Sequence, residues 1–204
     1  MKKIIAFTLV AIVVTSADAQ VLKSYGLKLG AGASTMRFEY NIDFSLPTDV
    51  RWGFDGAGFI EVLSTPCTSF LAEVHYIQKG YSTTLKVTTP AQPLGNGQYL
   101  TVTPRIDYLS IPVLAKVRLE TQAITPYVIV GPRLDILLWS QELDPQYTPT
   151  AFGLTCGAGI QFPGSSNPGF LLEGRFSPTL THPYEGQILT VRNYSFEILI
   201  GAAF

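Results

Sequence analysis

The final segment, Val191 to Phe204, alternates between apolar and polar positions over most of its length. Arg192, Tyr194, Phe196, Ile198, Ile200, Ala202 and Phe204 share one parity, apolar after the first, and Asn193, Ser195, Glu197 and Gly201 share the other. A period of two predicts a strand with one apolar and one polar face. The pattern recurs upstream. Phe170, Leu172, Phe176 and Leu180 oppose Glu173, Arg175, Ser177 and Thr179. Phe152, Leu154, Ala158, Ile160 and Phe162 oppose Gly153, Thr155, Gly157, Gly159 and Gln161. Val128, Val130, Leu134, Ile136 and Leu138 oppose Gly131, Arg133 and Asp135, and Ile111, Val113, Ala115, Val117 and Leu119 oppose Ser110, Lys116 and Arg118. Eight extended segments are predicted, near 24–38, 50–63, 68–86, 98–120, 124–139, 150–162, 168–181 and 190–204. No stretch of helical period competes with them beyond the N-terminal segment.

The connections alternate in length. Ser64 to Cys67, Thr121 to Ala123 and Pro163 to Asn167 are short. The segments near 39–49, 87–97, 140–149 and 182–189 are longer and richer in polar residues, Pro and Gly. Short periplasmic turns and longer external loops are the pattern of outer-membrane barrels. The expected fold is therefore all-β, an eight-stranded antiparallel up-and-down transmembrane β-barrel. A soluble ligand-binding barrel would alternate too. Two features favour lipid on the outside: the apolar parity is nearly uninterrupted, and aromatics mark its edges. Phe70, Phe162, Phe170 and Phe204 fall at the expected periplasmic rim, and Trp52, Phe152, Phe176 and Tyr194 fall toward the outer rim. Rings of this kind sit at headgroup level. Pro112, Pro126, Pro132 and Pro178 run against the pattern, because each lacks the N–H that a ladder needs. They are expected to mark bulges, strand ends or places where water reaches the wall.

The N-terminus adds a compartment. Lys2 and Lys3 precede an apolar run from Ile4 to Val14, too short to span a bilayer, and Ala17-Asp18-Ala19 fits a small-x-small cleavage site. Residues 1–19 read as a signal peptide and 20–204 as the barrel domain, located in the outer membrane. A C-terminal aromatic is part of the signal by which such barrels are inserted. Tyr194, Phe196, Ile198, Ile200 and Phe204 are the expected insertion signal, read by the barrel-assembly machinery. Charged residues make up 14% of the chain and the net charge is −1, which leaves no basic footprint for nucleic acid. Cys67 and Cys156, the two cysteines, fall in a turn and in a strand and are not expected to pair. No Cys/His cluster has zinc-ligand spacing, and no metal or cofactor is expected.

By parity the barrel interior holds Lys28, Glu61, Glu73, His75, Lys79, Lys116, Arg118, Arg133, Asp135, Glu173, Arg175 and Glu197. Buried charges need partners, and an eight-stranded barrel is just wide enough for side chains to fill. The reading is an ion-paired plug; the alternative is a narrow channel for small solutes. A lipid-modifying enzyme is a third reading, in which a nucleophile would need a base beside it. The chain has two histidines. His75 has the inward parity beside Glu73, and His182 lies in the last long connection with no His-x-Ser pattern. No catalytic residue is assigned. Tyr81 to Thr89 and Gln98 to Thr103 flank Pro93-Leu94-Gly95-Asn96-Gly97 and exceed what a membrane span requires. They predict a hairpin projecting from the outer rim.

Several short pieces carry a family resemblance. They are Gly26-Leu-Lys-Leu-Gly-Ala-Gly, Tyr76-Ile-Gln-Lys-Gly-Tyr81, Tyr108-Leu-Ser-Ile-Pro-Val-Leu-Ala-Lys116 and Pro126-Tyr-Val-Ile-Val-Gly-Pro132. With these the chain resembles the PorT-like outer-membrane β-barrel proteins of the Bacteroidota over nearly its whole mature length. Where the family often has Glu, this chain has Ser110, which removes one interior acid. The resemblance implies that Pro112 and Pro132 are ordinary strand features. It also implies a structural or accessory role in the cell envelope, with a link to protein secretion of the type IX kind through the founding member. Outer-membrane lipid and other envelope or secretion proteins are then the expected partners. It carries no catalytic motif to transfer.

Overall fold

The computed structural model describes residues 20–40, 47–87, 97–119, 121, 124–141, 148–162, 169–181, 184–185 and 189–204. The expected signal peptide, most of the hairpin tip and His182 lie outside the described residues. Among the described residues, eleven strands follow in order: β1 (Gln20–Tyr40), β2 (Arg51–Ser64), β3 (Thr68–Gly80), β4 (Thr83–Lys86), β5 (Tyr99–Val102), β6 (Arg105–Arg118), β7 (Thr125–Ser140), β8 (Thr150–Phe162), β9 (Gly169–Pro178), β10 (Tyr184–Glu185) and β11 (Leu189–Ala203). No helix occurs among the described residues.

Eight of these strands close a barrel. The antiparallel order is β1-β2-β3-β6-β7-β8-β9-β11, and β11 pairs back onto β1 from Gly26↔Ala203 to Tyr40↔Leu189. Closure removes the free edges that an open sheet would present. The start of β1, the end of β11 and the short β2–β3 turn share one end, the terminal end. The β4–β5 pair lies at the other, the hairpin end.

Two expected strands are each divided. The segments 68–86 and 98–120 run through the wall only as β3 and β6, which part company after Gly80↔Arg105. Gly80 has φ +149°, and a Cβ there would lie 2.1 Å from the Pro104 carbonyl oxygen. Glycine is needed where two backbones come this close. Beyond the break, β4 and β5 form a separate two-stranded sheet, Thr83↔Val102 to Lys86↔Tyr99. Alternation carries on through both pieces, so periodicity alone does not mark the place where the chain leaves the barrel.

The prolines are accommodated without loss of register. Pairing of β3 with β6 skips from Ala72↔Val113 to His75↔Ser110, around Pro112. Pairing of β6 with β7 skips from Pro112↔Arg133 to Ala115↔Val130, around Pro132. The ladder resumes with the same partner offset each time, so each proline costs local bonds and leaves the faces in phase. Pro178 ends β9. The one register shift in β6–β7, between Asp107 and Tyr108, turns both Leu138 and Trp139 outward.

The two faces differ sharply. Ile200 is 63% exposed, whereas Leu199 beside it is completely buried. The outer wall is a continuous apolar surface that includes Leu27, Leu29, Val74, Val113, Val128, Val130, Leu172, Phe196, Ile198 and Ile200. An apolar area of this extent is out of place against water. Phe162, Phe170, Phe204 and Tyr25 are exposed at its terminal end, and Trp52, Phe54, Trp139 and Phe152 at its hairpin end. Phe176 lies two residues from the end of β9 and pairs with Phe196. The last residue closes the seam. Phe204 donates its N–H to the Tyr25 carbonyl at 2.8 Å and accepts from the Tyr25 N–H at 3.1 Å, and the two rings stack at 6.0 Å.

Candidate functional site

Strand parity turns the polar side chains inward, and the barrel gathers them into three knots, with an apolar layer between the first two and another toward the hairpin end. Nearest the terminal end, Glu61 on β2 accepts from Lys116 (3.0 Å) and Arg118 (2.7 Å) of β6 and from Ser69 of β3 (2.8 Å). Arg118 also donates to Ser64 (2.6 Å) and to the Thr65 and Pro66 carbonyls of the β2–β3 turn. One guanidinium thus ties three strands to the turn that joins two of them. Above this knot lies an apolar layer of Phe59, Leu71, Leu114, Tyr127, Ile129, Leu171 and Ala203.

The central knot is the densest. Lys28 of β1 donates to Glu73 (2.8 Å) and Glu173 (3.1 Å). Arg175 of β9 grips both oxygens of Glu73 at 2.6 and 2.9 Å and donates through Nε to Glu173. A fork of this kind matches carboxylate geometry. Tyr127 donates its hydroxyl to Glu173 at 2.7 Å. His75 lies 2.9 Å from Asp55 through Nδ1 and 2.8 Å from Glu73 through Nε2. Five strands of the wall meet here.

Toward the hairpin end, Asp135 accepts from Lys79 (2.7 Å) and Ser110 (2.6 Å), and Arg133 Nε lies 3.1 Å from it without hydrogen-bond alignment. Arg133 reaches Glu197 at 3.4 Å, and Glu197 accepts from Ser195 at 2.8 Å. An upper apolar layer of Met36, Ile77, Ile106, Tyr108 and Val191 closes the stack.

All twelve side chains assigned to the interior from parity are buried here: Lys28, Glu61, Glu73, His75, Lys79, Lys116, Arg118, Arg133, Asp135, Glu173, Arg175 and Glu197. The parity reading left out Asp55, although it shares its phase with Ala57, Phe59 and Glu61 on β2. With Asp55 counted, the acids Asp55, Glu61, Glu73, Asp135, Glu173 and Glu197 match the bases Lys28, Lys79, Lys116, Arg118, Arg133 and Arg175 one for one. Composition gave no sign of the part played by aromatic rings. Each interior lysine lies over one: Lys28 over Phe59 (5.0 Å), Lys79 over Tyr108 (5.4 Å) and Lys116 over Tyr127 (4.4 Å). Ser110 keeps a place in the network as a donor to Asp135.

Between the central and upper knots, the gap lined by His75, Ser110, Pro112, Arg133, Thr155, Arg175 and Glu197 has no room for a water-sized sphere. Both ring nitrogens of His75 face carboxylates, so it is not placed as a base beside a hydroxyl nucleophile. Among the described residues, no group of three or more His, Cys, Asp or Glu could hold a metal ion. Cys67 and Cys156 are both free.

A closed barrel with a lipid-compatible wall and a charged core agrees with the family comparison. The family model described as "Outer membrane protein beta-barrel domain" matches residues 19–184. The chain belongs to this family. It is an outer-membrane β-barrel protein, and its apolar wall faces membrane lipid. Among curated proteins, none matches the sequence. Solved structures with the same architecture include the outer membrane protein OprG from Pseudomonas aeruginosa, 9% identical, with 91% of this chain and 98% of that chain covered at a TM-score of 0.51. Neisserial surface protein A is 13% identical, with 91% and 100% covered at 0.50. The outer membrane protease OmpT from Escherichia coli is 9% identical, with 93% and 99% covered at 0.46. For the first two the likeness is one of fold, and the third, under 0.5, carries no argument.

Proposed function

We propose that this protein is a plugged, non-catalytic outer-membrane barrel with a structural or accessory role in the cell envelope. Residues 1–19 direct export, and the terminal strand with Tyr194, Phe196, Ile198, Ile200 and Phe204 directs insertion by the barrel-assembly machinery. The β4–β5 hairpin and the short turns then offer contact surfaces to other envelope proteins. The PorT-like resemblance points to protein secretion as the process served. The observation that carries the reading is the central knot, in which Arg175 and Lys28 hold Glu73 and Glu173 across the lumen. A solute would have to break charge pairs that are buried on all sides, and each charge left alone there would be costly.

Planar-bilayer recording of the purified barrel tests this. The expected result is no unitary conductance for the wild type. Discrete channel openings in the wild type would overturn the plug and make a narrow channel the better reading. Photo-crosslinking in intact cells from Leu85 and Tyr99, both exposed on the hairpin, tests the accessory role. Adducts with another envelope protein are expected, and adducts with lipid alone would count against it.

A further inference from the structure

We propose that the central knot is a proton-dependent latch: it binds one proton on His75, between Asp55 and Glu73, and loosens when that proton leaves. The latch is a property of the buried knot and is independent of what the barrel conducts or contacts.

Hydrogen-bond geometry sets the proton count. His75 Nδ1 lies 2.9 Å from Asp55, and Nε2 lies 2.8 Å from Glu73. A neutral imidazole has a single N–H, so one of these nitrogens would turn a lone pair toward a carboxylate oxygen. Only the imidazolium donates to both. Arg175 Nη1 stands 3.3 Å from Nε2, and the same Nη1 is 2.6 Å from Glu73 Oε2, the oxygen that Nε2 also faces. Arg175 and His75 are thus two donors on one acceptor, and 3.3 Å is the spacing between them.

Charge gives the same count. Asp55 is completely buried, and its Oδ2 has no hydrogen-bond partner. Among the described residues, its one ion pair is with His75. Glu73 and Glu173 are served by Lys28 and Arg175. The central knot therefore sets three carboxylates against two permanent cations, and a charged ring makes the third. The neighbouring knots have no cation to lend. Toward the hairpin end the ring faces Ser110, Arg133 and Glu197 across the narrow gap, but Arg133 is held by Glu197 and Asp135, and Lys79 by Asp135. Lys116 and Arg118 face Glu61 beyond an apolar layer. A buried carboxylate left without a cation is costly.

The folded barrel then keeps a proton that the unfolded chain gives up above about pH 6.5, where a free histidine turns neutral. The folded state binds more protons than the unfolded one, so the stabilisation is complete below about pH 6.5 and declines as pH rises. Once the proton leaves, Asp55 is stranded, and two carboxylates face a ring that can serve only one.

Two measurements on the micelle-embedded barrel test this, both with His182→Gln, which leaves His75 as the one histidine. The first is nitrogen-15 NMR of the labelled ring at about pH 8, where a free histidine is neutral. Both ring nitrogens should carry protons. One protonated nitrogen beside one lone pair would overturn the proposal. The second compares urea titrations at about pH 7.5 and about pH 8.5. Over that interval the folding equilibrium constant should fall about tenfold more with His75 in place than with His75→Gln, the effect of one bound proton. Equal falls would likewise overturn it. If His75→Gln does not fold, the ring nitrogens decide alone.

Discussion

The inner and outer faces of the same eight strands solve opposite problems. Leu199 and Ile200 are adjacent in the chain, yet one packs in a sealed core and the other faces lipid. On the outer face side chains are interchangeable, because lipid supplies no directional partner and requires only apolarity. On the inner face they are specific. Arg175 must meet Glu73 and Glu173, and Arg118 must meet Glu61 and the β2–β3 turn. The barrel thus inverts the usual arrangement of a soluble protein, and its uniqueness comes from the polar side.

Substitutions can break or sharpen this contrast. The largest effect should come from the inner face. Arg175→Met leaves Glu73 and Glu173 short of a cation, and about 3–5 kcal/mol of stability should be lost in urea titrations of the micelle-embedded barrel. Glu73→Gln added to Arg175→Met restores balance, since Lys28 still serves Glu173, and should recover most of the loss. If the double variant is no better than the single, charge balance is not what holds the core together.

On the outer face, the matching experiment adds a charge. Ile198→Arg near the middle of the apolar band should cost about 2–4 kcal/mol, whereas Ile198→Leu should be silent. A silent arginine would mean that this stretch of wall is not in hydrocarbon.

A methyl group makes a finer probe. At inward-facing Gly26, a Cβ would lie 2.0 Å from the Ala202 carbonyl and 2.8 Å from the Phe59 ring; at outward-facing Gly174 it would meet nothing within 4 Å. Gly26→Ala should cost about 1–3 kcal/mol by overpacking. Gly174→Ala should stay within about 0.5 kcal/mol. Equal costs in the same titration would erase the difference between the faces.

The smallest effect on stability is expected at the seam. Phe204→Ala, which keeps both backbone hydrogen bonds to Tyr25, removes one stacked ring, a contribution of about 0.5–1.5 kcal/mol. The level of folded barrel in the outer membrane, read as heat-modifiable gel migration, should nevertheless fall. An unchanged level would separate Phe204 from insertion and leave it as a packing residue.

Period-two alternation in this sequence is enough to specify eight wall strands, because a pleated strand puts every second side chain on one face. It also marks which face is apolar; the unbroken run of that face and the aromatics at its edges add that the chain belongs in a membrane. It names the residues that turn inward; Asp55 could have been read from the same phase as Phe59 and Glu61. What it leaves open is everything that depends on register. That Lys28 meets Glu73 and Glu173, or that Lys79 meets Asp135, follows only once barrel closure turns β1, β3, β7 and β9 toward one lumen, because these partners lie 45 or more positions apart in the chain. The breaks at Gly80 and Pro104 are likewise tertiary, since alternation runs on through them and only barrel closure decides where a strand must leave the wall. The sequence by itself determined the two surfaces and their solvents, because each is a one-residue choice between apolar and polar. Only the tertiary structure decided which charge meets which, because a pair needs both members in one place.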